Sequence, residues 1–128
     1  SFVGAWCFVD HYGPDDTAAT GGMDVPPHPH TGLATVSWLF DGAITHRDSI
    51  GSHALVRPGD VDLMVAGSGI THSEFSANDT TVLHGVQLWY ALPDRTRFRE
   101  QELRYARLAR AVALQNAQPP SAAADERR

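Results

Sequence analysis

The sequence predicts an all-β domain, a sandwich or barrel of about seven short strands. Three observations carry this. Period-2 alternation dominates the chain up to Pro93. β-branched and aromatic residues crowd the alternating stretches. Turn signals built from Gly, Pro, Asp and Ser separate them at regular spacing.

Residues 3–10 read as the first strand, and His11-Tyr12-Gly13-Pro14-Asp15-Asp16 as a turn. Residues 17–27, rich in Gly, Ala and Pro, read as a loop. Residues 33–40 form a strand with Val36, Trp38 and Phe40 on one face. Asp41-Gly42 predicts a tight hairpin, because a type I′ turn needs two positive φ angles, so residues 43–48 return antiparallel. Gly51-Ser52 breaks the chain, and Arg57-Pro58-Gly59-Asp60 turns it into a strand over 61–65. Ala66-Gly67-Ser68-Gly69 bends it into the next strand, 70–75. Residues 76–80 are polar loop, and 82–92 a last long strand.

After Pro93 the character changes. Residues 95–115 lack Gly and Pro and are rich in good helix formers, so a helix is expected over 95–116. Tyr105, Leu108 and Val112 give it a narrow apolar stripe, and Glu100–Arg104 a favourable i,i+4 pair. The expected organisation is a β body over 1–93, a helical extension over 94–117 and a disordered tail over 118–128.

With 128 residues, 42% hydrophobic and 20% charged, the chain is one ordinary globular domain. No apolar run reaches the roughly 18 residues of a membrane span, and no signal peptide is visible. Ser1 rather than Met comes first, so the N-terminus reads as trimmed. The single cysteine, Cys7, excludes an intrachain disulfide and fits a reducing cytoplasm; between Trp6 and Phe8 it reads as a small buried hydrophobe. Residues 1–94 carry eleven acids against two arginines, and residues 95–128 eight arginines against four acids. An acidic body argues against a groove that tracks nucleic-acid phosphates.

Seven histidines are many for this length. In His28-Pro29-His30 and in His72-Ser73-Glu74 two ligating side chains stand two apart. On extended chain, i and i+2 share a face, so each pair aims into one barrel. If the two strands are neighbours, three imidazoles and one carboxylate converge. That set suits a divalent metal with open coordination positions, which a closed structural zinc site lacks. His11 and His84 read as structural hydrogen-bonding residues, His46 and His53 as solvated. Trp38, Trp89, Tyr90 and Met64 read as core.

Five motifs occur in order: Asp10-His-Tyr-Gly-Pro, Pro27-His-Pro-His-Thr-Gly-Leu-Ala-Thr-Val, Arg57-Pro-Gly-Asp-Val, Ala66-Gly-Ser-Gly-Ile-Thr-His-Ser-Glu and His84-Gly-Val-Gln-Leu-Trp. Together they resemble the N-terminal domain of the pirins, members of the cupin superfamily. The resemblance covers about residues 3–93. It implies a double-stranded β-helix, or jelly roll, and a metal, usually iron, on His28, His30, His72 and Glu74. Two departures stand out. Ala34 replaces a glutamate that usually follows the HPH motif, and the second jelly roll of the two-domain pirins has no counterpart here. The chain therefore reads as a single-cupin relative or as a fragment of a longer product.

The resemblance implies an oxidoreductase of the quercetin 2,3-dioxygenase type. Iron(II) is the expected cofactor, with nickel, copper, manganese or zinc as alternatives. A flavonol-like aromatic compound is the expected substrate, and Glu74 the base for its hydroxyl proton. The alternative is a non-catalytic, metal-dependent regulatory protein that binds a protein partner. The helical extension is expected either to dock on its own barrel or to reach a second copy and make a homodimer, the second being slightly favoured because closed two-fold dimers are the commonest oligomers.

Overall fold

The computed structural model describes residues 2–107. Nine strands and one short helical turn follow in the order β1 (Trp6–Asp16), α1 (Thr17–Thr20), β2 (Asp24–His30), β3 (Leu33–Asp41), β4 (Ile44–Asp48), β5 (His53–Val56), β6 (Asp60–Val65), β7 (Ile70–Ser76), β8 (Val82–Ala91) and β9 (Glu102–Arg107). They form two antiparallel sheets. The five-stranded sheet runs β1-β8-β3-β6-β9 and the four-stranded sheet β2-β7-β4-β5. Chain neighbours β2 and β3, and β3 and β4, lie in different sheets, as a double-stranded β-helix requires.

Several expectations change. Residues 11–16 are not a turn but continue β1, paired along β8 as far as Asp16↔Val82. The expected loop over 17–27 holds the turn α1 and the start of β2, where Asp24 and Val25 already pair with Phe75 and Glu74. Asp41-Gly42 is not a hairpin. β3 and β4 do not pair, and Asp41 keeps a negative φ while Gly42 alone is positive at +82°. The dipeptide carries the chain between sheets instead. The Asp41 carboxylate accepts from the Gly42 N–H at 2.8 Å, and a Cβ at Gly42 would meet the Val82 carbonyl.

The predicted helix is also corrected within the described residues. Thr96 and Arg99 close turns onto Pro93 and Thr96, and residues 102–107 pair with β6 in the register Met64↔Leu103 and Asp62↔Tyr105. Helix propensity here gives way to pairing: without β9, β6 would be a sheet edge with unpaired backbone groups. Leu108, Val112 and the remaining part of the expected helix and tail lie outside the described residues.

Buried apolar side chains form two clusters. Leu39, Ile44, Val56 and Leu83 pack with Tyr12 and Met23; Met64, Ala66 and Ile70 pack with Leu103. On β3 the buried positions are Ala34, Thr35, Ser37 and Leu39; beyond Ala34 the buried face is that of Thr35, Ser37 and Leu39, while Val36 and Trp38 are only partly buried and Phe40 is exposed. Cys7 is half-buried, its thiol donating to the Trp89 carbonyl at 3.3 Å. No helix of the described residues is long and apolar enough to cross a membrane.

Candidate metal centre

The polar residues of the sequence reading fill the space between the two sheets. On β7, His72 and Glu74 are both buried. Register sets His28 and Asp48 on either side of His72, and His46 opposite Glu74. The three neighbouring strands therefore deliver inward-facing donors in adjacent rows.

His28, His30 and His72 come together. Their ring centroids lie 4.8, 4.5 and 5.0 Å apart for His28–His30, His28–His72 and His30–His72. One nitrogen from each falls within 4.8 Å of the others. Glu74 joins through His72 and His46, which form a second such group with it, rather than through His28 and His30. His72 thus belongs to both groups.

His46 corrects the sequence reading: it is fully buried, not solvated. Its Nε2 lies 2.9 Å from Asp48 Oδ2, and its Nδ1 3.5 Å from His72 Nδ1. The signal available was the period-2 run Ile44-x-His46-x-Asp48, which puts all three on one face. His53 is exposed, and His11 and His84 share a 3.0 Å contact between their Nε2 atoms, as expected. Nor is Glu74 the only carboxylate inside. Asp62 is buried on β6 with Oδ2 3.6 Å from His46 Nδ1, and Asp48 is shielded behind His46.

Hydrogen bonds fix much of the donor chemistry. The His28 Nδ1–H donates to the Pro26 carbonyl at 2.9 Å, which leaves the Nε2 lone pair free. Both Glu74 oxygens accept from Gln87 Nε2, at 3.1 and 3.3 Å. Gln87 is held in turn by Ser37 Oγ at 3.0 Å and by the Trp89 Nε1–H at 3.1 Å. The Nε2 atoms of His30 and His72 are buried with no hydrogen-bond partner.

Burial and the repulsion of neighbouring imidazoles favour the neutral ring at His30 and His72. Burial lowers the pKa of His30, with the nearby His28 adding to it. Burial and then His28, His46 and His30 bring His72 down to about 3. Burial raises Glu74, partly opposed by the Gln87 hydrogen bond. Neutral imidazoles with free nitrogens beside a carboxylate are the donor form that divalent metals take. Two orphaned buried nitrogens on histidines otherwise lacking a reason to be inside give that set an independent fit, since such groups are rare without a partner.

Comparison with known proteins places this arrangement. Residues 1–90 match the family model Pirin. A Pseudomonas aeruginosa protein named "Putative quercetin 2,3-dioxygenase" is 44% identical over 125 residues, covering 87% of this chain and 40% of that protein. A crystal structure of a quercetin 2,3-dioxygenase from Acinetobacter baumannii superposes with a TM-score of 0.78 at 47% identity, over 81% of this chain and 35% of that one. A bacterial pirin of Escherichia coli in complex with nickel(II) superposes with a TM-score of 0.58 at 28% identity, over 67% of this chain and 36% of that one. The chain thus spans well under half the length of these relatives.

Proposed function

The chain belongs to the pirin family, and on that premise we propose that it is a metal-dependent oxidoreductase domain of the quercetin 2,3-dioxygenase type. His28, His30, His72 and Glu74 hold the metal. Iron(II) is the first choice, and nickel, copper, manganese and zinc are alternatives for the same donor set. The observation that carries the reading is the pair of buried, unpartnered Nε2 atoms on His30 and His72, beside a His28 whose Nε2 is also free. When bound, the metal supplies Lewis acidity, a template and redox capacity.

The chain's own residues supply the rest. Gln87 fixes the Glu74 carboxylate in orientation through both oxygens. Glu74 is the carboxylate placed to take the proton of a flavonol hydroxyl at Oε1 or Oε2, a role that a bound metal would temper by lowering its basicity. Trp89 stands edge-on to His30 at 4.9 Å, and Phe8 edge-on to Trp89 at 5.3 Å. Phe8 is half exposed, so aromatic surface runs from solvent to the histidines and suits a planar aromatic substrate.

The test is anaerobic purification with elemental analysis, followed by oxygen uptake with quercetin. One equivalent of metal and uptake that depends on both metal and quercetin are expected. Metal binding without uptake would favour the regulatory reading; no metal binding would remove both.

A further inference from the structure

Behind the three histidines stands a second layer that the ligand set does not use. His72 can offer its Nε2 lone pair to a metal only if its proton sits on Nδ1. A buried Nδ1–H needs an acceptor. Among the described residues, the partner of His72 Nδ1 is His46 Nδ1 at 3.5 Å. His46 accepts there only as a neutral ring protonated on Nε2, and that Nε2 faces Asp48 Oδ2 at 2.9 Å. With His46 neutral, one proton arrangement satisfies both hydrogen bonds: His72 Nδ1–H to His46 Nδ1, and His46 Nε2–H to the Asp48 carboxylate; the competing arrangement is a charged His46 whose Nδ1–H turns to Asp62 Oδ2, 3.6 Å away.

We propose that Asp48 and His46 are positioning residues that hold His72 in its metal-accepting tautomer. The inference rests on the metal reading above, but it concerns the protein's own protons and is measurable without metal. Asp48 is anchored for the task. Its Oδ1 accepts the backbone N–H of Ser52 at 2.9 Å and of Ile50 at 3.1 Å, which closes the turn after β4 and leaves Oδ2 for His46.

That anchoring makes one variant decisive. In Asp48→Asn the two backbone N–H groups hold the amide oxygen where Oδ1 was. The NH2 group then falls at the Oδ2 position and donates to His46 Nε2. His46 must then carry its proton on Nδ1 and donate to His72 Nδ1. The His72 proton is driven to Nε2, where it blocks coordination. The shape is unchanged while the relay runs backwards, as an Asp→Asn change does to a catalytic histidine tautomer elsewhere.

The experiment reads the ring 15N shifts of His46 and His72 by NMR in metal-free wild type and in Asp48→Asn, then titrates both with iron(II) and nickel(II). The wild type should show His72 protonated on Nδ1 and His46 on Nε2. The variant should show both reversed, with metal affinity about 10- to 100-fold weaker. A wild-type His72 protonated on Nε2 overturns the proposal, as does a charged His46 donating to Asp62. So does a variant with unchanged tautomers. The wild-type spectrum decides the direction of the relay even if the variant does not fold. Reversed tautomers in a protein that binds no metal would uphold the relay and remove the metal reading instead.

Discussion

Asp62→Asn is expected to stabilise the metal-free protein at neutral pH and to leave it unchanged near pH 4. Asp62 is a buried carboxylate with one oxygen unpartnered and the other 3.6 Å from His46, beyond hydrogen-bond reach. Burial pushes its pKa from 3.8 up to about 6; the attraction of His46 opposes this, and the charges of Glu74 and Asp48 add to it. A folded pKa above the unfolded one means that the native state binds the extra proton between about pH 4 and 6. Stability is then highest below pH 4, falls as pH rises, and the full penalty is present above about pH 6. A shift of roughly 2 units corresponds to roughly 3 kcal/mol at ~1.4 kcal/mol per unit. The isosteric amide removes the charge and, like the protonated acid it resembles, stays a buried neutral polar group, so that cost largely cancels; imperfect isostery can take up to about 2 kcal/mol of the gain. The expected gain is therefore about 1–3 kcal/mol at pH 8. Urea denaturation in chelator at pH 4, 5, 6, 7 and 8 gives the difference curve, in which the titrations of Glu74 and the histidines largely cancel. A variant less stable than wild type at pH 8, or a gain independent of pH, would refute the reasoning.

Other substitutions probe the site and its frame. His72→Ala should abolish tight metal binding and its thermal stabilisation, about 2.7 kcal/mol at a metal concentration 100 times Kd, whereas His53→Ala on the exposed face should change neither in calorimetry. Gln87→Leu removes the donor to both Glu74 oxygens and the acceptor of Trp89, so a loss of about 1–3 kcal/mol is expected in urea at pH 7. Gly67→Ala puts a Cβ onto the Arg99 carbonyl at φ +53°; a loss of roughly 1–3 kcal/mol is expected, together with faster tryptic cleavage at Arg97 and Arg99.

The legible parts of this fold are those where one residue's neighbours along the chain decide its fate. β6, β7 and β8 follow from alternation between turn signals, and the convergence of His28 and His30 on His72 follows once their strands are neighbours. The misread parts are those decided across the fold. β2 is the clearest case: three prolines within seven residues argue against a strand, yet the segment keeps its pairing by an irregularity between Val25 and His28 and by lying at a sheet edge. β3 fails differently. Its aromatic face is the more hydrophobic, which would normally fix the inside, but the barrel interior at this depth is polar, and Ser37 is needed there to hold Gln87. His46 escaped because the period-2 run with Ile44 and Asp48 is short and its immediate neighbours Thr45 and Arg47 are polar; the partners of β4 are what place it behind His72. These errors share one cause. A core built around a polar cluster inverts the rule that apolar residues mark the inside, so hydrophobic patterning misleads most at the positions where chemistry is concentrated.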